Sequence, residues 1–465
     1  MIREILVLGS GSAGLIAALS LRAALPQLVV RIVRSAEIGI IGVGEGSTAD
    51  LPNHLHGFLS IDPARFHAEA KPSWKLGVRF KNWGPRDAFN YTFTHHVTGR
   101  APQCRKANGF YDFAHRTDAD ISSALMTVGK AFALQPNGAP DVRRTMGYHL
   151  ENADFVCCLE RYARETGIEF IEGTVARVET NPEGLAALHL ASGERLAADL
   201  FVDASGFRSE IIRQALDEPF QSYANALFCD RAIIGGWERT DEPVLPYTTA
   251  ETMDAGWAWQ IEHERHVNRG YVFSSAFAGD GEAEATFRRA NPKLQQTRLV
   301  KFRTGRVARN WIGNVFAIGN ASGFVEPLEA TALLVICQQA RFLAWALRDC
   351  DGEPTPTLRA STNRIVANVW NEIRDFLAVH YRFNTRLETP FWQHCRAETA
   401  LHGAQRIVDF YRENGPSTVT AIELLNPSAS IFQLEGFYAL LLGQKVSHRK
   451  TEGVSAEEVA HWRAH

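Results

Sequence analysis

The chain has 465 residues, of which 45% are hydrophobic and 22% are charged, and its formal net charge at pH 7 is −3. A chain of this length can bury a large core and is expected to form one or two interdependent modules. Its 49 Lys and Arg residues are balanced by 52 Asp and Glu without a long basic block, which excludes an electrostatic footprint for DNA or RNA.

Cysteine usage and hydropathy further restrict the class of protein that the sequence can encode. Seven cysteines show neither CxxC nor metal-ligand spacing, so we predict reduced thiols, no metal site and a cytoplasmic protein. The apolar run from Ile5 to Leu25 is interrupted by glycines and lacks a strongly basic start, unlike a signal peptide. No stretch of about 18 uncharged apolar residues predicts a membrane span.

The chain opens with a strand, turn, helix and strand pattern. Ile5 to Leu8 predict a buried strand, GSGSAG at 9–14 a tight turn, and the following Ala- and Leu-rich run a helix to about Leu25. Leu28 to Val33 predict the second strand. In this context GxGxxG is typical of dinucleotide binding, because the glycines let a pyrophosphate approach the helix N-terminus.

The residue that ends the second strand departs from the dinucleotide-binding pattern. An acidic residue usually binds the ribose hydroxyls there, and this chain has Arg34. Arg34 could meet a phosphate, stack on adenine, or be an ordinary solvated surface arginine.

Two further stretches follow in the first hundred residues. GVGEGST at 42–48 is glycine-rich and predicts either a second ligand-lining loop or a plain surface loop. WKLGVRFKNW at 74–83 alternates polar and apolar residues, which predicts one strand with Lys75, Gly77, Arg79 and Lys81 on one face. Taken alone, a lysine on such a face is expected to be solvated.

The middle of the chain predicts alternating elements up to residue 305. We expect a helix after Gly147-Tyr148-His149, a hairpin formed by Glu169–Glu179 and Leu185–Leu190, and a strand at 199–206 that ends in small residues. Residues 225–305 predict further strands, including 257–261 and 271–274. From about Thr357 the pattern becomes helical and aromatic, which is more typical of core than of a ligand site.

The segment GNVFAIGNASGFVEPLEATA at 313–332 predicts a strand and a tight turn, followed by a helix from Leu333 to Leu347. Two carboxylates, Glu326 and Glu329, stand just ahead of a helix N-terminus, which would itself suit an anion. Such a conflict is typical of functional sites. The alternative is that both glutamates only favour the helix start as first-turn acids.

Several motifs in one order resemble the flavin-dependent halogenases of the tryptophan halogenase family over nearly the full length of the chain. They are GSGSAG at 9–14, GVGEGST at 42–48, WKLGVRFKNW at 74–83, GYHLENADF at 147–155, DLFVDASGFRS at 199–209, WAWQI at 257–261, GYVFSS at 270–275, GNASGFVEPLEAT at 319–331 and HYRFNTRLETPFW at 380–392. Each motif alone is a weak signal, whereas the ordered set is specific.

The resemblance implies an α/β (α+β) fold. A glutathione-reductase-like, Rossmann-type FAD-binding module would span residues 1–350, with inserted strands at roughly 75–130 and 225–305. A mainly helical module at 351–465 would cover the substrate. A homodimer is compatible with this picture.

The resemblance also implies the chemistry. FADH2 would come from a separate NAD(P)H-dependent flavin reductase, and oxygen with chloride or bromide would give hypohalous acid. The oxidant would reach Lys75 and halogenate an electron-rich aromatic, most simply an indole or tryptophan-like molecule, assisted by Glu329. The alternatives are a flavin monooxygenase that hydroxylates its substrate and a flavin-binding protein without turnover; Lys75, Glu329 and the two tryptophans of WAWQI favour halogenation over hydroxylation.

Further site residues follow from the same resemblance. Thr331 and Ala332 would bind the halide, and Trp257 and Trp259 would separate flavin from substrate. The family's WxWxIP box reads WAWQIE here, with Glu262 in place of proline. The positions expected to contact FAD, with Arg34 among them as the departure noted above, are Gly9, Gly11, Ser12, Ala13, Gly14, Arg34, Gly46, Val175, Asn320 and Leu328.

Overall fold

The structure is a computed structural model that describes residues 1–35, 44–93, 120–416, 421–425, 430–449, 455–457 and 460. Cys104 and the first two residues of the GVGEGST motif, Gly42 and Val43, lie outside these residues. The chain divides into two compact units. The first comprises Met1–Pro72, Tyr148–Ser222 and Phe302–Trp370, and the second comprises Ser73–Gly147, Tyr223–Lys301 and Asn371–His465. The domain assignment with a boundary near residue 350 stays a prediction.

A mostly parallel sheet forms the centre of the first unit. Its apolar strands are buried on both faces, as expected for a parallel sheet covered by helices. Strands Trp311–Ile312 and Val315–Ala317 are antiparallel to each other, and the other neighbouring strands of this sheet are parallel. In spatial order the strands are Trp311–Ile312, Val315–Ala317, Leu200–Asp203, Glu4–Leu8, Val29–Arg34 and Glu169–Glu172.

Smaller sheets accompany it in the first unit. Arg195–Leu196, Gly184–Leu190 and Val175–Asn181 form one antiparallel sheet, and Phe220–Ser222, Gly305–Val307 and Gly323–Phe324 form another. The short strand Glu45–Gly46 pairs with Leu150 and His149 of strand Gly147–Leu150. The first unit also contains the helices Ser12–Ala24, Asp50–Pro52, Asn53–Phe58 (π), Pro63–Ala70, Asn152–Glu165, Gly206–Arg208 (3-10), Glu210–Ala215 (π), Gly319–Ala321 (3-10), Ala332–Asp349 and the beginning of Pro356–Arg382.

The second unit is built on a mixed sheet. Its strands, in spatial order, are Thr297–Lys301, Arg231–Glu238, His266–Phe273, Gly256–Glu262, Thr248–Met253, Gly77–Lys81 and Ala88–Thr92. The neighbours are antiparallel except Thr248–Met253 with Gly77–Lys81. The short strand Ser73–Lys75 precedes this sheet in sequence. The helices are Ile121–Thr127, Asp280–Ala290, the remainder of Pro356–Arg382, Pro390–Glu398, Ala404–Asn414, Ala421–Leu424 (3-10) and Gln433–Gly443.

The predicted α/β class is confirmed, and two local predictions need correction. The stretch 74–83 is not one strand, because the backbone N–H of Leu76 bonds to the carbonyl of Pro246 and separates Ser73–Lys75 from Gly77–Lys81. Glu169–Glu172 is not part of a hairpin, because it pairs in parallel with Val29–Arg34. The hairpin is formed by Val175–Asn181 and Gly184–Leu190.

Among the helices in the described part of the chain, none is long and apolar enough to cross a membrane.

A largely buried polar network joins four helices of the first unit, Ser12–Ala24, Asp50–Pro52, Asn53–Phe58 and Ala332–Asp349. The guanidinium of Arg341 donates to both carboxylate oxygens of Asp50 at 2.9 and 3.0 Å and to Nδ1 of His54 at 3.0 Å. Because Arg341 only donates, the proton of neutral His54 lies on Nε2, which faces the hydroxyl of Ser20 at 3.0 Å. Burial and the neighbouring Arg341 lower the pKa of His54 to about 3.

We expect this histidine to make the fold sensitive to mild acid. His54 stays neutral in the folded protein, whereas in the unfolded chain it would bind a proton with a pKa near 6.5. The stability that His54 contributes is therefore present above that pH and is lost as the pH falls. Between pH 7 and 5 the wild type should lose about 2 kcal/mol more unfolding free energy than His54→Gln. Urea denaturation at both pH values measures this difference, and equal losses would contradict the assigned pKa.

Candidate active site

The carboxyl ends of three parallel strands in the first unit, Glu4–Leu8, Leu200–Asp203 and Val315–Ala317, meet at one edge of the sheet. In open α/β sheets, ligands bind in the crevice outside this edge. Gly9 follows the first strand with φ of +113°, and a Cβ there would lie 2.5 Å from the carbonyl oxygen of Ala204. Only glycine fits this turn without strain, because the backbone is left-handed and the neighbouring chain is close.

Of the other two glycines of GSGSAG, Gly14 allows close packing and Gly11 leaves space for a ligand beside the backbone. A Cβ on Gly14 would lie 1.9 Å from the carbonyl oxygen of Gly9, so this glycine lets the helix pack on the turn. At Gly11 the described residues place no atom within 4 Å of an added Cβ. Gly11 is also the N-cap of helix Ser12–Ala24 and provides no side-chain cap. The open side of Gly11 and the uncapped N–H groups fit a pyrophosphate.

The turn after the third strand lies against the start of the same helix. Gly319 has φ of +60°, and a Cβ there would be 2.8 Å from the Cβ of Ala13. The side-chain oxygen of Gln339 accepts the Gly319 N–H at 2.9 Å, and its amide donates to Ser322 Oγ at 2.8 Å. The structure therefore brings predicted residues Ser12, Ala13 and Asn320 to one region of the first unit.

Other predicted FAD positions are more scattered. Arg34 forms ion pairs with Glu160 at 2.6 Å and Glu172 at 2.5 Å, so carboxylates already neutralise its guanidinium. Val175 opens the strand that packs beside the hydrophobic core, and Leu328 is buried. Gly46 pairs with His149. Contact of these residues with FAD stays a prediction.

Glu45 is a residue that sequence reasoning missed. It lies next to Gly46 in the glycine-rich loop, and burial raises its pKa to about 7. A carboxyl group with such a pKa can exchange a proton near neutral pH. The signal in the sequence was an acidic residue inside a glycine-rich loop.

The two glutamates of the 313–332 segment are both buried. Glu326 is 0% exposed and Glu329 is 1% exposed. The helix begins at Ala332 and has no acidic residue in its first turn, which argues against the reading of both glutamates as first-turn acids. Between Glu329 and the N-cap Thr331, Ala330 adopts a left-handed conformation with φ of +55°. Non-glycine residues rarely take this conformation, and it is enriched at functional sites.

The predicted halide residues stand at this helix start. Thr331 is buried and is the N-cap of helix Ala332–Asp349, without a side-chain cap hydrogen bond. Ala332 is the first helical residue and is exposed. The backbone N–H groups at the start of an 18-residue helix suit an anion.

Lys75 lies in the second unit and is completely buried, with 0% exposure. This overturns the expectation, drawn from its strand pattern alone, that it is solvated. Its Nζ lies 5.3 Å from the ring centroid of Phe93, within the range of a cation–π contact. By contrast, the Lys81 side chain is 52% exposed, and it pairs with Glu251. A buried lysine is costly to the fold, and its pKa shifts readily, which is typical of functional lysines.

Trp257 and Trp259 lie on the same face of strand Gly256–Glu262 and are both buried. Their ring centroids are 6.1 Å apart, and Trp257 also contacts Trp83 at 6.3 Å. Gly270 pairs with Trp259 on the next strand, where an added Cβ would lie 2.0 Å from the indole ring. This glycine leaves the space that the indole of Trp259 occupies.

Comparisons with known proteins show the family to which the chain belongs. A sequence model described as tryptophan halogenase matches residues 4–458. The tryptophan 6-halogenase ThaL of Streptomyces albogriseolus is 32% identical, over 88% of this chain and 81% of ThaL.

Two solved structures are also similar. MibH, a lanthipeptide tryptophan 5-halogenase, is 37% identical with a TM-score of 0.88, covering 100% of this chain and 89% of MibH. Xcc4156, a flavin-dependent halogenase from Xanthomonas campestris, is 28% identical with a TM-score of 0.88, covering 99% and 93%. The chain therefore belongs to the tryptophan halogenase family of flavin-dependent enzymes.

Proposed function

We propose that this enzyme is a two-component, FADH2-dependent halogenase of an electron-rich aromatic, most simply an indole or a tryptophan residue. The observation that carries this proposal is the complete burial of Lys75, since a lysine without a function is expected on the surface. Because MibH is a lanthipeptide tryptophan 5-halogenase, we include tryptophan within a peptide among the proposed substrates.

The first unit would hold the flavin at the edge of its parallel sheet. Gly11 would let the pyrophosphate approach the start of helix Ser12–Ala24, and the turn at Gly319 would border the same ligand. When bound, reduced FAD supplies, with oxygen, the oxidation of chloride or bromide to hypohalous acid. A separate NAD(P)H-dependent reductase would deliver the FADH2.

The chain's own residues would then place the halide and aim the oxidant. Backbone N–H groups at Thr331 and Ala332 would hold the halide. The Lys75 side chain would hydrogen-bond hypohalous acid, or as the neutral amine would take the halogen from it to form a haloamine with release of water, and would present the halogen to the arene. The carboxylate of Glu329 would stabilise the cationic arene or accept its proton. Trp257 and Trp259 would keep the substrate away from the flavin.

A product assay tests this function against its two alternatives. The enzyme is supplied with a flavin reductase, NADH, FAD, bromide and a panel of tryptophan, a tryptophan-containing peptide, indoles and phenols. A product with the isotope doublet of bromine supports the proposal. A hydroxylated product would make the protein a monooxygenase, and oxidation of FADH2 without any modified substrate would contradict both enzymatic readings.

Gly11→Val tests the cofactor site. An added Cβ at this position has no described atom within 4 Å, so we expect the fold to tolerate the substitution, whereas the pyrophosphate would meet the new side chain. We expect FAD affinity to fall by about tenfold to a hundredfold. Gly281→Val, at an equally open glycine of helix Asp280–Ala290, is the matched control. Fluorescence titration of FAD compares both; parental affinity in folded Gly11→Val would remove the assignment.

Glu329→Gln keeps the shape of the side chain and removes its charge. If Glu329 stabilises charge on the arene, halogenation should slow by roughly 10² while oxidation of FADH2 stays near the wild-type rate. Glu326→Gln is the matched control, because Glu326 is equally buried in the same segment and has no proposed part in the arene step. Parental halogenation by Glu329→Gln would leave Glu329 with a structural role only.

Lys75→Ala separates the two halves of the reaction. Because the oxidant would form before Lys75 acts, the variant should still oxidise FADH2 and yet give almost no halogenated product. Stopped-flow absorbance and product mass are measured on one preparation, with Lys81→Ala as the exposed control. A general loss of stability would lower both activities together, and substantial product from Lys75→Ala would refute the role of the lysine.

A further inference from the structure

The second unit contains a buried ion pair at the position where the family box has proline. The carboxylate of Glu262 lies 2.5 Å from the guanidinium of Arg239 and also accepts a hydrogen bond from Gln260 at 2.7 Å. The two charged side chains are only 1% and 6% exposed. Ions buried to this extent are tolerated only when they are paired and well hydrogen-bonded.

The guanidinium of Arg239 also donates hydrogen bonds to three backbone carbonyls. Its Nε donates to the carbonyl of His263 at 2.9 Å, and its Nη1 donates to the carbonyls of Glu242 at 3.1 Å and Pro243 at 2.9 Å. A planar guanidinium with several fixed donors suits such a junction. The ion pair therefore ties the end of strand Gly256–Glu262 to the loop at 239–243.

Lys75 is anchored on both sides by the segments that this ion pair connects. The hydroxyl of Ser73, two residues before Lys75, donates to the backbone carbonyl of Glu262. The N–H of Leu76, one residue after it, donates to the carbonyl of Pro246 at 2.8 Å. Pro246 follows Pro243 by three residues. One of these hydrogen bonds is therefore made to Glu262 itself, and the other is made to the chain just after the carbonyls that Arg239 binds.

We propose that Glu262 and Arg239 form a clamp that positions Lys75. The clamp holds the segment from Ser73 to Leu76 so that the buried amine keeps one location, while neither clamp residue takes part in the chemistry. Proline at position 262 could not form the ion pair, so the clamp is a consequence of the glutamate in this chain. Its catalytic consequence rests on the function proposed above, whereas its effect on Lys75 does not.

The first test reads the exposure of Lys75 without using catalysis. Acetic anhydride acylates lysines at a rate that, for a buried amine, depends on local opening of the chain. We expect Glu262→Gln to speed acylation of Lys75 about tenfold, because one charge-assisted hydrogen bond of the clamp is lost. Lys81 serves as an internal reference whose rate should not change. Mass spectrometry of proteolytic peptides quantifies both sites.

A matched control removes an exposed ion pair from the same loop. Lys293→Ala deletes the 2.5 Å pair between Lys293 and Glu242 and leaves Arg239 and Glu262 in place. Its Lys75 should be acylated at the wild-type rate. Equal acceleration in Lys293→Ala and Glu262→Gln would mean that general loosening of the loop, rather than the clamp, controls the lysine.

Ser73→Ala keeps the inference testable if Glu262→Gln fails to fold. It removes one anchor while leaving the ion pair intact, and it should accelerate acylation of Lys75 in the same direction. In the double variant the two effects should be less than additive, because both act through one contact chain. Unchanged acylation of Lys75 in the folded variants, or fully additive effects, would overturn the clamp.

The second measurement is the ratio of halogenated product to FADH2 oxidised. In Glu262→Gln this ratio should fall by about tenfold to a hundredfold, the scale of a misplaced catalytic group, while FADH2 oxidation stays near the wild-type rate. Faster acylation with an unchanged ratio would refute the catalytic part of the inference. If the wild type halogenates nothing, the proposed function fails, and the acylation rates still decide whether the clamp exists.

Discussion

Burial of ionisable side chains is the constraint that each of the two units has to meet. Lys75 in one unit, and Glu326 and Glu329 in the other, are buried almost completely. Burying an ionised group costs several kcal/mol unless neighbouring groups compensate it. The surrounding backbone must therefore be firmly held. The left-handed Ala330 follows Glu329 directly, and backbone anchors on either side fix the segment that carries Lys75.

The central sheet and its glycine turn could be predicted from the sequence because both depend on local pattern. Apolar runs such as Ile5–Leu8 alternate with small residues at strand ends, and the spacing of Gly9, Gly11 and Gly14 fits one backbone geometry. The predicted hairpin of Glu169–Glu179 with Leu185–Leu190 is wrong for Glu169–Glu172, because this strand pairs in parallel with Val29–Arg34, a partner so distant in sequence that a local pattern does not reveal it.

Burial of Lys75 could not be derived from its own segment, because alternation alone places a lysine on the solvent side. The contacts around it come from elsewhere in the chain: the ring of Phe93 lies near its amine, and the carbonyls of Pro246 and Glu262 bind the neighbouring residues Leu76 and Ser73. The ion pairs of Arg34 could not be derived from its segment either, because its two glutamate partners lie more than a hundred residues away. Contacts of such long range leave no periodic signal, and only the ordered family motifs pointed to Lys75.

The close fit between Trp259 and Gly270 links two positions that are adjacent across the sheet but separate in sequence. Any side chain at 270 would overlap the indole ring, so a larger residue there requires a smaller ring at 259. A smaller ring at 259 alone would leave a groove along the strand, where packing contacts are lost. The two sites should therefore show strong epistasis, and directed evolution that samples them one at a time would discard combinations that work only as a pair.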